Sequence, residues 1–360
     1  MLKASYKKYT LGFKFNAGTS RGILKEKDTW LIKVWDEKRP DHFGLGEAGP
    51  LKKLSIDDYE GFEDKLEEIL HHLEGYSLPD NADDIYQLSA QLASSMPSIR
   101  FSLETALLDL NHGGVRRLFD NGFYRDEEPI AINGLIWMGH VESMLSQIAN
   151  KIAEGFDCIK MKIGSLDFER ECDVLEYVRR RYFQKELTLR VDANGAFKPD
   201  EAMGKLSMLS KFSLHSIEQP IAPGQHALMA QLCRSSPVPI ALDEELIGIN
   251  GMGDKRALLE KIRPQFIILK PTLIGGIKSS LEWISVANDL DIRWWITSAL
   301  ESNIGLNAIS QFTAQVNAEG HQGLGTGNLY HNNIPSPLTV NEGFIRYRSA
   351  ASWDLSSIYP

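Results

Sequence analysis

Six polar residues each close a short apolar run in the second half of the chain: Lys162, Asp192, Glu218, Asp243, Lys270 and Ser298. Three acids and two lysines in such positions are the ingredients of a metal-assisted proton abstraction. Carboxylates brought close together repel and raise one another's pKa, and a divalent cation removes that penalty. A ligand set of oxygen alone, without His or Cys, favours Mg²⁺, with Mn²⁺ as a substitute. Lys160 stands two residues before Lys162, so each ammonium disfavours the other, and a lysine lowered in this way can act as a base. If Lys270 stands across from Lys162, two amines flank a metal-held carboxylate and can take a proton from the adjacent carbon. The competing reading makes the acids helix caps or ion-pair partners and the lysines a solvated pair on an edge strand. Three acids in consecutive repeats, on strands without a free edge, argue against it.

The elements that must position these residues follow from their spacing. The six lie roughly 25–30 residues apart, the length of one strand plus one crossover helix, so the series reads as successive turns of a β/α barrel. Cys158 to Gly164 alternates strictly, which puts Lys160 and Lys162 on one inward face and Ile159, Met161 and Ile163 on the other. Phe168, Cys172, Leu175 and Val178 then follow helical spacing, and Leu187 to Asp192 returns to alternation with Arg190 and Asp192 sharing a face. Comparable strands end at Glu218, Asp243 and Lys270. Segments 130–136, 293–298 and 322–325 supply a first, a seventh and a short eighth strand.

The first part of the chain reads differently. Segments 9–15 and 29–35 look like antiparallel strands separated by a polar loop at 16–22, whose Gly18, Thr19, Ser20 and Arg21 make it a candidate lid. A helix is expected after Ser55 as N-cap, carrying Phe62, Leu66, Ile69, Leu70 and Leu73, and another through 98–110. We expect an α+β unit over 1–127, a barrel over 128–328, and a tail 329–360 that returns to the first unit. A 43% apolar and 24% charged composition is that of an ordinary globular protein, and a net charge of −9 without a basic run argues against nucleic acid as a partner. Cys158, Cys172 and Cys233 are scattered and odd in number, which suggests neither a disulfide framework nor a zinc site and fits a reducing cytoplasm. No stretch approaches the ~20 apolar residues that span a bilayer, so no membrane role is expected. A small-molecule carboxylate is the expected partner, and a homo-oligomer is compatible with this reading.

These residues resemble the enolase superfamily, in its muconate-lactonizing subgroup. A lysine or histidine base working with Mg²⁺ is an established trait of that superfamily and no deduction from this chain. Lys160-Met161-Lys162 resembles the subgroup's K-x-K, while Asp192-Ala193-Asn194, Glu218-Gln219-Pro220 and Asp243-Glu244 resemble its three metal-ligand positions. Lys270-Pro271 resembles the opposing lysine, and Gly44-Leu45-Gly46-Glu47-Ala48 the G-x-G-E-A turn of the capping domain. The resemblance implies an α/β fold, a modified (β/α)8 TIM-type barrel of (β/α)7β form with an α+β capping domain. It covers most of the chain.

Within the subgroup, 269–276, 298–305 and 323–327 look like the corresponding text of the o-succinylbenzoate synthase family, dehydratases of menaquinone biosynthesis. The implied substrate is 2-succinyl-6-hydroxy-2,4-cyclohexadiene-1-carboxylate. The resemblance makes Lys162 the base, Lys270 the electrostatic partner of the developing enediolate, and Asp192, Glu218 and Asp243 the Mg²⁺ ligands. Ser298, Gly325 and Arg21 become candidate substrate contacts, and Asn194, Glu244 and Arg190 supporting residues. An N-succinylamino acid racemase uses the same groups and is the alternative. Gly323 to Thr326 offers no acid pair of the dipeptide-epimerase kind, and 294–298 no histidine of the mandelate-racemase kind. From a different class, Lys270 at the end of an apolar strand is also compatible with a Schiff-base aldolase, and the fold alone with a non-catalytic binder.

Several other residues have plainer readings. Glu245 reads as a helix-start acid, Asn194 as either an orienter of Asp192 or a turn former, and Arg190 as either a buried ion-pair partner or a substrate contact. Glu301 reads as a lysine partner or a helix cap. Trp294 and Trp295 read as packing, and His71, His72 and His112 as surface or helix-end residues.

Overall fold

The computed structural model describes residues 1–19, 22–164, 167–184 and 186–359. The amino-terminal strands β1 (Leu2–Thr19) and β2 (Gly22–Asp36) pair antiparallel, and β3 (Arg39–Ala48) adds to β2. This corrects the expected loop at 16–22, because the ladder continues through Ala17↔Leu24, Gly18↔Ile23 and Thr19↔Gly22. Ser20 and Arg21 lie outside the described residues. Between Gly12 and Ala17 the register shifts, so that Phe13 to Asn16 oppose Lys25 alone. The bulge frees β1 to bond elsewhere. Lys14 N donates to Leu329 O at 2.9 Å, and Phe13 bridges to Tyr330.

Three helices cover this sheet. In α1 (Phe62–Leu73) the five expected apolar residues are the buried ones, which is what a 3.6-residue stripe facing a core requires. It starts later than expected: Ser55 Oγ accepts from Leu51 N at 2.8 Å in the preceding turn, and Gly61 precedes the helix without a side-chain cap. In α2 (Ala82–Leu92), Asn81 caps the first turn by accepting from Asp84 N at 3.0 Å. α3 (Pro97–Asn111) is buried on nearly every side, with β3 against one face. A Cβ at Gly44 or Gly46 would stand 1.8 Å from the carbonyl oxygen of Ala106 or 1.9 Å from that of Ser102, so only glycine lets β3 lie this close to α3.

A short α4 (Gly122–Arg125) leads into the barrel. The expected first strand is split: β4 (Ile130–Ala131) turns away, and β5 (Gly134–Ile136) begins the parallel sheet. There follow α5 (Val141–Ala153), β6 (Cys158–Lys162), α6 (Phe168–Arg181), β7 (Thr188–Asp192), α7 (Ala202–Leu209), β8 (Ser216–Glu218) and α8 (His226–Ser235). The series continues with β9 (Ile240–Leu242), α9 (Met252–Ile262), β10 (Phe266–Leu269), α10 (Pro271–Ile274), α11 (Gly276–Asp289), β11 (Arg293–Ile296) and α12 (Asn303–Gln315). Neighbours in sequence are neighbours in space, in the order β5 to β11, all parallel.

The eighth position is not a strand. Two isolated parallel bridges, Thr297↔Gly323 and Ile132↔Gln322, close the curl between β11 and the first strand. Gln322 fastens this seam with its side chain, whose Oε1 accepts from Ile296 N at 2.8 Å while Nε2 donates to Glu319 O and Gly320 O. The tail divides its contacts. A hairpin of β12 (Leu338–Asn341) and β13 (Phe344–Tyr347) pairs with β4, whereas Ile334 and Ile358 bury against Leu31, Leu45 and Ile304.

Candidate active site

Strand register explains why residues remote in sequence converge. Lys162 lies opposite Asp192 in the β6–β7 ladder and Asp192 opposite Glu218 in the β7–β8 ladder, so the strand-end side chains are lateral neighbours. Asp192, Glu218 and Asp243 are buried, and each offers one oxygen within 4.8 Å of the other two. Three lysines, Lys160 within β6 and Lys162 and Lys270 at strand ends, close around them. Lys160 Nζ is 3.0 Å from Asp192 Oδ2 and also donates to Glu218; Lys162 Nζ is 3.2 Å from Asp192 Oδ2; Lys270 Nζ donates to Asp243. Lys162 and Lys270 thus hold opposite flanks of the trio.

Burial and charge act on these groups in different directions. Burial pushes Glu218 up to about 7, and the carboxylates of Asp192 and Asp243 push the same way against Lys160 and Lys270. Burial also raises Asp192, but the three ammonium groups outweigh it and hold that carboxyl well below the usual range. Among the lysines, Lys162 is lowered, first by burial and then by the charges of Lys160 and Lys270. Burial works against Lys160 and Lys270 as well, yet the adjacent carboxylates leave both raised. Glu218 Oε1 is buried and has no hydrogen-bond partner among the described residues. An acceptor left bare among three carboxylates is what a missing cation would satisfy, so the donor set suits a divalent metal.

Asn194 combines a turn with contacts to the neighbouring site residues. It turns the chain with φ of 43°, a conformation asparagine tolerates. Its N–H donates to Asp192 Oδ1 at 3.0 Å, its Oδ1 accepts from Lys162 Nζ at 2.8 Å, and its Nδ2 donates to Glu244 Oε1 at 2.9 Å. Glu245 lies in the first turn of a short 3₁₀ helix, Glu244–Leu246, that follows Asp243. Its buried carboxylate accepts from Gln219 Nε2 and Gly224 N, and Gln219 Oε1 in turn accepts from Asp243 N at 3.2 Å. Nothing in the spacing marks Gln219, whose side chain bridges two of the acid-bearing segments.

A cavity of about 620 Å³ opens above these residues, within the size range of small-molecule sites. Lys160, Lys162, Asp192 and Lys270 line its floor, Ser298 and Gly325 its far wall, and residues of β2 and the segment around Leu51 its roof. The Ser298 hydroxyl donates to Glu301 Oε2 at 2.6 Å and lies 2.7 Å from Thr326 Oγ1, so its proton is already committed. Glu301 also accepts from Thr272 and from Ala299 N; it is a hub of the wall and partners no lysine by hydrogen bond. Arg190 is corrected in depth. It points inward as expected and pairs with Lys160 in the β6–β7 ladder, but where Lys160 reaches up to the acids the Arg190 guanidinium turns towards the opposite end of the barrel, 4.1 Å from the Trp295 ring and donating to His321 O at 2.9 Å. A residue that sequence reasoning passed over is Lys27 of β2, buried in the roof of the cavity.

Comparison with known proteins agrees with this geometry. Residues 143–351 match the family described as enolase C-terminal domain-like. The o-succinylbenzoate synthase of Desulfotalea psychrophila is 44% identical across 96% of this chain and 98% of its own length. The crystal structure of MenC from that organism superposes with a TM-score of 0.86 at 41% identity, covering 96% of this chain and 99% of that one. An N-succinylamino acid racemase from Thermus thermophilus is 29% identical across 82% of this chain and 77% of its own length. The chain belongs to the enolase superfamily and sides, within it, with the o-succinylbenzoate synthases.

Proposed function

We propose that this chain is an o-succinylbenzoate synthase, dehydrating 2-succinyl-6-hydroxy-2,4-cyclohexadiene-1-carboxylate to o-succinylbenzoate in menaquinone biosynthesis. The observation that carries the chemistry is the buried acid trio flanked by Lys162 and Lys270. The observation that carries the substrate is the 44% identity to a synthase over nearly the whole chain. Asp192, Glu218 and Asp243 would hold Mg²⁺ or Mn²⁺, which supplies positive charge to a substrate carboxylate and so acidifies the carbon beside it.

Lys162 takes the proton from that carbon. It is suited to the task because burial and two neighbouring ammonium groups favour its neutral form. Lys270, kept cationic by Asp243, faces the negative charge that develops on the carboxylate oxygens. The C–O bond to the neighbouring hydroxyl then breaks, protonated Lys162 returns its proton to the leaving oxygen, and water departs as the ring becomes aromatic. Lys160 remains protonated against Asp192 and Glu218 and keeps Lys162 depressed. Asn194 fixes the base relative to the acids, and Glu244 fixes Asn194. Ser298 and Gly325 shape the wall; Arg21 remains a candidate contact of the lid. The same proposal includes a cap over 1–127, a barrel over 128–328, a returning tail over 329–360 and a cytoplasmic setting. Among the described residues no helix is long and apolar enough to cross a membrane.

The aldolase reading of Lys270 is not carried forward, since an ammonium held by Asp243 is protonated and therefore not a nucleophile. The test is turnover of the cyclohexadiene acid followed by absorbance, beside a panel of N-succinyl amino acids. Dehydration that is fast with Mg²⁺ and lost in EDTA is expected. Racemisation without dehydration would replace the synthase with the racemase.

A further inference from the structure

Among the described residues, four lysines that line the cavity are buried or nearly so, and three of them are spoken for. Lys160, Lys162 and Lys270 each contact a carboxylate of the acid trio. Lys27 does not. It is 6% exposed, it is among the residues that line the same cavity from the roof, and its Nζ is buried without a hydrogen-bond partner among the described residues. It is the first buried residue of β2, inside the alternation that leaves Glu26 and Asp28 in water.

The two acids whose charge acts on Lys27, Glu47 and Glu301, already accept hydrogen bonds from other groups. Glu47 accepts from Thr29 Oγ1, from Ser302 N and Oγ, and from Gly305 N, while Glu301 accepts from Thr272, Ser298 and Ala299. Space for the ammonium is provided by Gly49, where a Cβ would stand 2.5 Å from Lys27 Nζ. A buried ammonium without a partner is destabilising, so a fold that builds a recess for one leaves a charge for something else to meet. Burial lowers the pKa of Lys27, and Glu47 and Glu301 only partly offset this, so an arriving anion would favour the charged form.

Resting on the function proposed above, the substrate carries two carboxylates. One belongs at the acid trio with its lysines; the other ends the succinyl arm and enters the cavity with it. Lys52 and Lys53 also line the cavity, but they are exposed, where an ion pair is worth little. We infer that Lys27 is the recognition residue for the terminal carboxylate of the succinyl arm, a specificity determinant supplied by the amino-terminal sheet and remote from the bond-breaking chemistry.

The experiment compares wild type, Lys27→Met and Lys27→Arg on the cyclohexadiene acid and on its succinyl monomethyl ester. Wild type should prefer the acid by about a hundredfold in kcat/KM, the size of a desolvated charge pair. Lys27→Met should abolish that preference through a rise in KM, with kcat on the acid within about threefold. Lys27→Arg should restore part of it. The melting temperature of Lys27→Met should be unchanged or higher, because an unpaired buried charge has been removed. Binding of o-succinylbenzoate and its succinyl monomethyl ester, read by calorimetry, should show the same loss of discrimination.

An undiminished acid preference in Lys27→Met, or a fall in melting temperature without a change in KM, overturns the inference. Its failure is separable from that of the reaction assigned above. If wild type racemises N-succinyl amino acids and dehydrates nothing, the synthase reading falls, while a Lys27-dependent preference for N-succinyl over N-acetyl substrates upholds the inference. Equal binding of the acid and its ester by wild type overturns it whatever the reaction.

Discussion

Two groups of buried acids sit within this molecule, and they are satisfied in opposite ways. At the barrel rim, Asp192, Glu218 and Asp243 are met chiefly by flexible lysine side chains, and one oxygen of Glu218 has no hydrogen-bond partner among the described residues. At the junction between the amino-terminal unit and the barrel, the acids are met by backbone. Glu47 accepts from Ser302 N and Gly305 N at the start of α12, and Glu104 from Ile277 N and Lys278 N at the start of α11. Helix amino termini offer unpaired N–H groups and a favourable dipole, so these carboxylates have fixed partners that cannot exchange. The rim acids can exchange theirs. Buried carboxylate therefore serves two ends here: immobile joinery at the junction and an ion-receiving surface at the rim.

Removing divalent metal should produce the largest effect and should separate the two groups cleanly. EDTA is expected to abolish turnover, with recovery on adding Mg²⁺, and Mg²⁺ should raise the melting temperature by binding only the folded state. Glu218→Gln should lose Mg²⁺ binding in calorimetry, whereas Glu47→Ala should keep it. Equal loss in both variants would erase the distinction drawn here. Next in size, Lys162→Ala should lower kcat by about 10³-fold or more while leaving the fold intact. Wild-type kcat should rise with pH as Lys162 loses its proton, levelling off below the ordinary lysine range because burial and two ammonium neighbours depress it. A plateau reached only near pH 10 would remove Lys162 from the base role.

Smaller effects probe the junction. Glu47→Ala strands the buried Ser302 hydroxyl and two backbone N–H groups and leaves Thr29 only its bond to Ala48 O at 3.2 Å, and should destabilise the fold by about 2–4 kcal/mol in denaturant unfolding. A loss no larger than that of an exposed surface substitution would show that water fills the gap. Glu104→Gln tests charge instead of hydrogen bonding. Burial raises Glu104 from 4.5 to about 7. An acid whose folded pKa lies above its unfolded value binds more protons when folded, so its contribution is full below about pH 4.5 and is lost as pH rises to about 7. Relative to Glu104→Gln, wild type should therefore lose on the order of 1–3 kcal/mol between pH 5 and pH 8. A gap that stays constant across that range would mean the carboxyl is ionised throughout.

Much of the rim was legible in the amino-acid order because closing a barrel turns a linear rhythm into a ring. A polar residue at the end of every buried strand has nowhere to go but the common pocket, so Lys162, Asp192, Glu218, Asp243 and Lys270 could be read from spacing and alternation. Alternation fixes the face of a strand and says nothing of depth, which is why Arg190 reads like Asp192 yet caps the far end of the barrel. The extension of β1 and β2 past Phe15 was not legible, because much of that ribbon is open to water and carries no hydrophobic alternation. Ser55 looked like a helix cap and proved to cap a turn, a choice made by its neighbours in space. Lys27 resembles any lysine of a charged strand. Its burial depends on Gly49 and on the barrel below, neither of which local pattern can see.

The seam fastened by Gln322 gives the ring a preferred place to loosen. Seven staves are joined by continuous ladders, but the last joint is two bridges and one amide side chain, directly beside the Gly323 to Thr326 stretch that forms the cavity wall. The acid trio stands on β8 and its neighbours, across the ring from that joint. Substitutions at the clasp can therefore remould what the cavity admits while the proton-transfer apparatus keeps its alignment.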